Sequence, residues 1–238
     1  MSIIAKLPYV RGKYKTFVDL SKLSWFRVGG VGDILYVPYD NLDLSEFLKK
    51  LDPTIPVTVI GAGSNIVIRD KGIRGVIIRL GRHFNYIKIS DSILTAGAST
   101  LDINVANFAA EHGYTGIEFL SGIPGTIGGA VFMNAGAYGA DISECLHSAT
   151  VYDMQGKAFQ LSNSDFKYAY RSNGLGQSFI VTEALFHVQK GDRDSILEKI
   201  EKIKLSRAQS QPIKSRTAGS TFKNPQGNQK AWQLIDGV

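Results

Sequence analysis

The chain has 238 residues, of which 44% are hydrophobic and 20% charged, the composition of a globular protein with a sizeable buried core. No apolar run approaches the roughly 20 residues that span a bilayer, and the single cysteine, Cys145, excludes an internal disulfide and offers no metal-ligand spacing. The net charge of +6 is spread along the chain without a basic tract, which disfavours nucleic-acid binding and leaves anionic small molecules as partners.

The N-terminus carries a short apolar piece followed by basic residues, which is the reverse of the order in a signal peptide. We therefore expect a cytoplasmic protein that binds neither membranes nor nucleic acids. A monomer is expected because no apolar interface stands out in the sequence.

The first third of the chain predicts strands and one helix. Residues 33–38 and 75–80 are apolar runs typical of strands, and 57–65 predicts a buried strand that runs into a glycine loop. Apolar residues at helical spacing predict a helix over 42–51.

The middle of the chain predicts a strand pair, 86–90 and 93–99, that turns across Asp91 and Ser92. A helix follows, with Thr100 as its N-cap, Asp102 in its first turn and Gly113 at its C-terminal end. Farther along, two strands meet at Gln155-Gly156 as a hairpin, and 178–189 predicts one long alternating strand.

Residues 194–209 predict an amphipathic helix with a basic outer face, and 210–228 is a polar, loop-like stretch that indicates a domain boundary. Strands and helices do not alternate strictly along the chain. The mixture predicts an α+β protein.

Two glycine-rich segments stand out. The sequence GAGSN at 61–65 follows an apolar strand, so its backbone N–H groups suit an anion such as phosphate, although an ordinary turn would look the same. Residues 121–139 hold six glycines, at 122, 125, 128, 129, 136 and 139. Packing of a short helix on a sheet would explain two or three of them, and we favour a bound cofactor for the rest.

Two polar positions could carry chemistry. Arg171 could hold a carboxylate through two hydrogen bonds and stabilise an enolate, but a surface ion pair is the commoner fate of an arginine. Ser220 has no histidine near it in sequence, and there is no G-x-S-x-G elbow, so nothing marks it as a hydrolase nucleophile.

Seven motifs follow one another along nearly the whole chain. They are FRVGGVGDILYVP (26–38), GAGSNIVI (61–68), GIEFLSGIPGTIGGAVFMNAGAYG (116–139), YRSN (170–173), SRAQSQP (206–212), AGSTFKNP (218–225) and AWQLID (231–236). In this order they closely resemble the UDP-N-acetylenolpyruvoylglucosamine reductase family. The resemblance implies a two-subdomain FAD-binding fold of the vanillyl-alcohol-oxidase (PCMH) type, residues 1–80 and 81–206, followed by a partial α+β substrate domain, 207–238.

The resemblance also implies non-covalent FAD, NADPH as co-substrate, and reduction of the enolpyruvyl group of UDP-N-acetylglucosamine-enolpyruvate to UDP-N-acetylmuramate. Arg171 would stabilise the enolate, and Ser220 would protonate the substrate. Substrate contacts would come from Arg207, Lys223 and Asn224. Cofactor contacts would come from Gly61, Gly63, Ser64, Asn65, Gly122, Gly125, Thr126, Gly129 and Ala130.

The chain departs from the family pattern at two places. Trp25 stands where threonine is usual, and the chain ends shortly after AWQLID, before the late glutamate that assists the arginine. We therefore expect a C-terminally truncated member. Two alternatives remain open: a fragment that binds FAD or UDP-sugar without full turnover, and another flavin oxidase of the same superfamily. No histidine lies in the two glycine segments, which counts against a covalent flavin.

Overall fold

A computed structural model describes residues 3–176, 178–211, 216–217, 219, 222–225 and 230–237. The helices are α1 (Asn41–Lys50), α2 (Asp102–Glu111), α3 (Ile127–Met133), α4 (Ile142–Cys145), α5 (Arg193–Ser210) and α6 (Ala231–Asp236). The strands are β1 (Lys13–Asp19), β2 (Val31–Val37), β3 (Val57–Val59), β4 (Ile73–Ile78), β5 (Ile87–Ser90), β6 (Ile93–Gly97), β7 (Tyr114–Thr115), β8 (Gly136–Ala137), β9 (Ala140–Asp141), β10 (Leu146–Asp153), β11 (Ala158–Ser162), β12 (Phe179–His187) and β13 (Gln189–Lys190).

The first large sheet has the strand order β1-β2-β4-β3. β1 and β2 are antiparallel, whereas β4 lies parallel to both of its neighbours, β2 and β3. α1 packs Leu44 and Phe47 on this sheet. Its N-terminus is capped by Asp40, whose side chain accepts a hydrogen bond from Asp43 N at 2.9 Å.

The second large sheet has the order β11-β10-β12-β6-β5, and all its neighbours are antiparallel. α2, α3 and α5 contribute buried residues to the core that covers β6 and β12. Tyr152 and Ile180 of this sheet join the core of the first sheet, so the two sheets are packed together. Consequently, the loops at the end of β3 and around α3 come close to each other.

Most of the predicted elements are confirmed with small shifts of their ends. β5 and β6 form the expected pair across Asp91, and β10 and β11 form the expected hairpin at Gly156. α1, β12 and α5 also match their predictions. Within the part of the chain that the structure describes, no helix combines the length and apolar composition of a membrane span.

Three predictions about these elements are wrong. Leu101, not Thr100, occupies the N-cap position of α2, because Thr100 Oγ1 instead exchanges hydrogen bonds with the backbone of Tyr86. The predicted strand that runs into the glycine loop at 61–65 is present as the short β3, but it is not buried, since Val59 is 42% exposed. The apolar face of α5 is buried only toward its N-terminal end, and Leu205 is exposed. Much of the predicted loop 210–228 lies outside the described residues.

Candidate functional site

The loop 61–65 leaves β3 and is held against the segment before β2. Trp25 N donates to the Gly63 carbonyl at 2.9 Å, and Gly63 has φ +71°. A side chain at Gly63 would collide with the Leu23 carbonyl, so both the backbone angle and the close approach require glycine. None of the five backbone N–H groups of 61–65 donates a hydrogen bond to another described group. These amides are therefore free to bind an anion.

At most of the glycine positions in 121–139, a backbone angle or a close protein atom disfavours a side chain. This corrects the expectation that packing accounts for only two or three of these glycines. Gly139 has φ +85°, and side chains at four others would meet protein atoms. The neighbours are the Tyr138 ring at Gly122, Asp102 Oδ2 at Gly125, Ala98 Cβ at Gly128 and Asp141 Cβ at Gly136. Gly129 differs, because it is exposed and the nearest atom to a Cβ there would be Thr126 Oγ1 at 3.9 Å.

The two glycine segments face each other across a short distance. A Cβ at Gly61 would lie 2.5 Å from Thr126 Oγ1, and one at Gly125 would lie 3.9 Å from Ser64 Oγ. The structure thus brings together Gly61, Ser64, Gly125 and Thr126. In α3 and the turn before it, the amides of Gly125, Thr126 and Gly129 donate to no described acceptor. Amides of this kind on both sides form a cradle that fits a diphosphate, because fixed backbone donors lose no side-chain entropy on binding.

A buried carboxyl group lies beneath this cradle. Asp102, the first residue of α2, is fully buried, and neither of its carboxyl oxygens has a hydrogen-bond partner among the described residues. Burial raises the pKa of Asp102 well above its usual value. Burial thus disfavours the charged form of this carboxyl, which would otherwise place a negative charge next to an anion-binding loop.

Arg171 sits at the tip of a tight turn closed by the Ala169–Ser172 bridge. It has φ +52°, an unfavourable backbone angle for an arginine. Its Nη1 donates to the Phe222 carbonyl at 3.0 Å, and its guanidinium lies 5.4 Å from the centre of the Tyr170 ring. The half-buried guanidinium is thus held from two sides.

Described residues after α5 contact both the cradle and the Arg171 turn. A Cβ at Gly219 would lie 3.6 Å from the Ser64 carbonyl, and Lys223 Nζ donates to the Tyr170 carbonyl at 3.5 Å. Two cationic residues, Arg171 and Lys223, therefore meet at the 169–172 turn. This arrangement suits a ligand that carries several negative charges.

The other predicted substrate residues are less closely joined to this centre. Asn224 Oδ1 accepts a hydrogen bond from Ala231 N at 3.1 Å, so its side chain holds the start of α6. Arg207 lies in the last turn of α5, where its Nε donates to Gln211 Oε1 at 3.4 Å. Ser220 lies outside the described residues, between Gly219 and Phe222 in sequence.

Several residues of the site carried no clear sequence signal. The Tyr138 ring covers Gly122, and Asn134 ends α3 in the left-handed conformation that asparagine tolerates. An asparagine directly after a short apolar helix was a usable signal for this cap. Tyr168 and Asn173 contact α3 because the turn that carries them packs against the end of this helix. The spacing of apolar residues in the sequence does not indicate this contact. Where the chain is described, no group of three or more His, Cys, Asp and Glu side chains is arranged to hold a metal ion.

Comparison with known proteins identifies relatives over almost the whole chain. A family model described as an FAD binding domain matches residues 33–162. UDP-N-acetylenolpyruvoylglucosamine reductase from Rickettsia canadensis is 46% identical over 231 residues, which are 97% of this chain and 78% of the relative. The enzyme of the same name from Rickettsia typhi is 46% identical over 230 residues, with the same two coverages.

Solved structures give the same result for the fold. The crystal structure of UDP-N-acetylenolpyruvylglucosamine reductase from Thermus caldophilus superimposes with a TM-score of 0.83 at 29% identity, over 96% of this chain and 80% of that one. 6-Hydroxy-D-nicotine oxidase from Arthrobacter nicotinovorans superimposes with a TM-score of 0.60 at 18% identity, over 76% of this chain and 43% of that one. At that identity the oxidase shows a shared fold and nothing about activity. The expected α+β FAD-binding fold is confirmed.

Proposed function

The chain belongs to the UDP-N-acetylenolpyruvoylglucosamine reductase family, and from that premise we propose how its residues bind cofactor and substrate. It is an FAD-dependent reductase of peptidoglycan precursor synthesis. We propose that NADPH supplies the hydride and that the enolpyruvyl group of UDP-N-acetylglucosamine-enolpyruvate receives it. When bound, FAD supplies the hydride transfer between these two molecules.

The cradle between the two glycine segments is our proposed site for the FAD diphosphate. Gly61, Gly63, Ser64 and Asn65 would bind phosphate oxygens through the backbone amides that have no described acceptor. The second side would come from the turn before α3 and from α3 itself: Gly122, Gly125, Thr126, Gly129 and Ala130. Among these residues, Gly129 supports the proposal best. It has no side chain, and the space that one would occupy is open where the cofactor would pass.

Arg171 is our proposed catalytic electrophile. Reduction of an enolpyruvyl group builds negative charge on the carboxylate-enolate, and a positioned guanidinium stabilises that charge as it forms. Ser220 would then donate a proton to the substrate carbon, a step in which proximity to the bound substrate contributes more than the acidity of a serine. Lys223, Asn224 and Arg207 would bind the substrate's phosphates or carboxylate.

The single observation that supports this assignment best is the meeting of Arg171 and Lys223 at one turn, where Arg171 Nη1 donates to the Phe222 carbonyl and Lys223 Nζ to the Tyr170 carbonyl. Two cationic residues at one turn suit a substrate that carries a carboxylate and phosphates. The division into residues 1–80, 81–206 and 207–238 belongs to the same proposal. A cytoplasmic location and a monomeric state likewise stay predictions.

The test is a steady-state assay of the FAD-loaded protein with NADPH and UDP-N-acetylglucosamine-enolpyruvate. We expect NADPH consumption that depends on the sugar nucleotide, and a product that is heavier by two hydrogen atoms. Arg171→Ala and Ser220→Ala should abolish most of this turnover while FAD stays bound. NADPH consumption that depends on oxygen instead of the sugar nucleotide would identify an oxidase, and FAD binding without turnover would identify a binding protein.

A further inference from the structure

The turn that carries Arg171 is fastened to the C-terminal end of α3 by two side chains. Tyr168 Oη donates to the Val131 carbonyl at 2.8 Å, and Asn173 Nδ2 donates to the Phe132 carbonyl at 2.8 Å. Both carbonyls lie in the last turn of α3, where the Val131 carbonyl otherwise accepts only a long bond of 3.5 Å from the N–H of the cap residue Asn134. The two hydrogen bonds flank the tip of the turn, one before Arg171 and one after it.

Asn134 supports the same junction from the helix side. It is buried, with 5% of its surface exposed, and its Nδ2 lies within hydrogen-bonding distance of the Ala169 carbonyl at 3.4 Å and of Asp141 Oδ2 at 3.2 Å. Its Oδ1 accepts a hydrogen bond from Ser143 N at 2.9 Å. The end of α3 is therefore a fixed platform on which the turn rests.

α3 also carries the proposed cofactor contacts. Gly129 and Ala130 lie within it, and Thr126 precedes it. Seven residues of helix are short and stiff, so whatever fixes the turn to the end of α3 also fixes Arg171 relative to the cofactor cradle. Arg171 also has a positive φ, and such a conformation persists only where its surroundings hold it.

We infer that Tyr168 and Asn173 are positioning residues for Arg171, which they hold at a set place relative to the cofactor-binding side of α3. This inference rests on the proposed function of Arg171. It assigns to the two side chains no contact with substrate or cofactor. Their loss should slow reduction of the enolpyruvyl substrate without weakening FAD binding or reduction of the flavin by NADPH.

The test compares Tyr168→Phe and Asn173→Ala with a matched control, Asn163→Ala. Asn163 Nδ2 makes the same kind of half-buried bond, to the Ser143 carbonyl at 2.7 Å, but does not contact the 168–173 turn. In Asn173→Ala we expect the rate of substrate reduction to fall about 10- to 100-fold, as displacement of a catalytic group by about 1 Å does. FAD affinity and the rate of flavin reduction should stay within about 2-fold of wild type. Tyr168→Phe should act in the same direction.

Two further measurements identify the route of the effect. In an Arg171→Ala background, Asn173→Ala should cause no additional loss, because the residue that it positions is gone. Hydrogen exchange at the amides of Ala169 and Ser172, which bond to each other's carbonyls, should become faster in Asn173→Ala but not in Asn163→Ala. The exchange measurement needs no turnover.

The possible outcomes separate this inference from the proposed function. If Arg171→Ala loses activity while Asn173→Ala behaves like Asn163→Ala, the inference is wrong and the proposed function stands. Additive losses in the double variant, or loss of FAD in Asn173→Ala, would also overturn it. Full activity in Arg171→Ala would contradict the proposed role of Arg171 itself. A wild-type protein that reduces no substrate would not remove this test. Even then, unchanged hydrogen exchange at Ala169 and Ser172 in Asn173→Ala would show that Asn173 does not hold the 168–173 turn on α3.

Discussion

Gly128 and Gly129 are adjacent in α3, but only at Gly128 would a side chain crowd protein atoms. A Cβ at Gly128 would lie 3.0 Å from Ala98 Cβ and 3.2 Å from the Ala98 carbonyl, so the helix approaches the second sheet through this residue. At Gly129 the corresponding Cβ would have only Thr126 Oγ1 near it, at 3.9 Å. One glycine therefore serves the packing of the apoprotein, whereas the other leaves open space in which we propose that the cofactor binds.

Alanine at these two positions should give opposite results. Gly129→Ala should leave the apoprotein as stable as wild type or stabilise it by about 0.5–1 kcal/mol, since alanine favours helix over glycine. Its affinity for FAD should fall about 10-fold or more, because the new methyl group takes space from the cofactor. Gly128→Ala should instead lower the free energy of unfolding of the apoprotein by about 1–3 kcal/mol. FAD titration and urea denaturation measure both effects, and unchanged FAD affinity in Gly129→Ala would remove that residue from the proposed site.

A second prediction at the residue scale concerns Asp102. The direction of its pKa shift decides whether the protein gains or loses stability as pH rises. Burial raises the pKa of this carboxyl, so between about pH 4 and the raised folded value the native state binds a proton that the unfolded state has lost. The contribution of Asp102 to stability is therefore lost as pH rises. Asp102→Asn, which cannot ionise, should be more stable than wild type at pH 7, and the difference should narrow toward about pH 4. Thermal unfolding of both proteins at several pH values measures this difference in stability. A difference that stays constant with pH would show that the pKa of Asp102 is not raised by folding.

Between secondary-structure elements, Asp43 of α1 joins the chain before β1 to the end of β2. Its carboxylate is 4% exposed and accepts hydrogen bonds from Arg11 N at 2.7 Å, Gly12 N at 2.9 Å, Tyr39 N at 2.9 Å and Tyr36 Oη at 2.8 Å. Burial alone would raise the pKa of Asp43, but these donors outweigh it and lower the pKa. The pKa of the same residue type is thus lowered at Asp43 and raised at Asp102.

Asp43→Asn should lower the free energy of unfolding at pH 7 by about 2–4 kcal/mol, because an amide presents its own N–H groups to four donors. The contribution of Asp43 is present above the unfolded pKa of about 4 and is lost as pH falls through the lower folded value. The stability deficit of Asp43→Asn relative to wild type should therefore shrink in acid, because the contribution of Asp43 is lost as pH falls, whereas that of Asp102 is lost as pH rises. The exposed Asp91→Asn is the control and should change stability little. Equal stability of Asp43→Asn and wild type at pH 7 would contradict the role of this carboxylate.

At the scale of the whole molecule, local chemistry predicted the hairpins and the longer helices. The turns at Asp91 and Gly156 have positive φ, and both residue types tolerate it, so the turns could be placed from sequence. Thr100 shows where such reasoning stops, because its hydroxyl bonds to Tyr86 across the β5–β6 region instead of capping α2. The order β1-β2-β4-β3 was equally hidden, since β4 lies between two strands that precede it in the chain.

The candidate site was accessible to sequence reasoning only in part. The motifs indicated which segments are proposed to bind the cofactor, and the family resemblance supplied the proposed roles of Arg171 and Lys223. The sequence could not show why glycine is needed at individual positions. A side chain at Gly122 would collide with Tyr138 and with Ile203 of α5, and one at Gly125 would collide with Asp102. Such pairs depend on how distant segments pack, and so does the attachment of the Arg171 turn to α3.

The central claim is that this chain transfers hydride from NADPH to an enolpyruvyl sugar nucleotide, and one anaerobic mixing experiment tests it most directly. FAD-loaded protein is first reduced with one equivalent of NADPH and then mixed with UDP-N-acetylglucosamine-enolpyruvate while the flavin absorbance is followed. We predict that the absorbance of oxidised flavin returns without oxygen, with one UDP-N-acetylmuramate formed per flavin. A flavin that stays reduced until air is admitted would contradict the account.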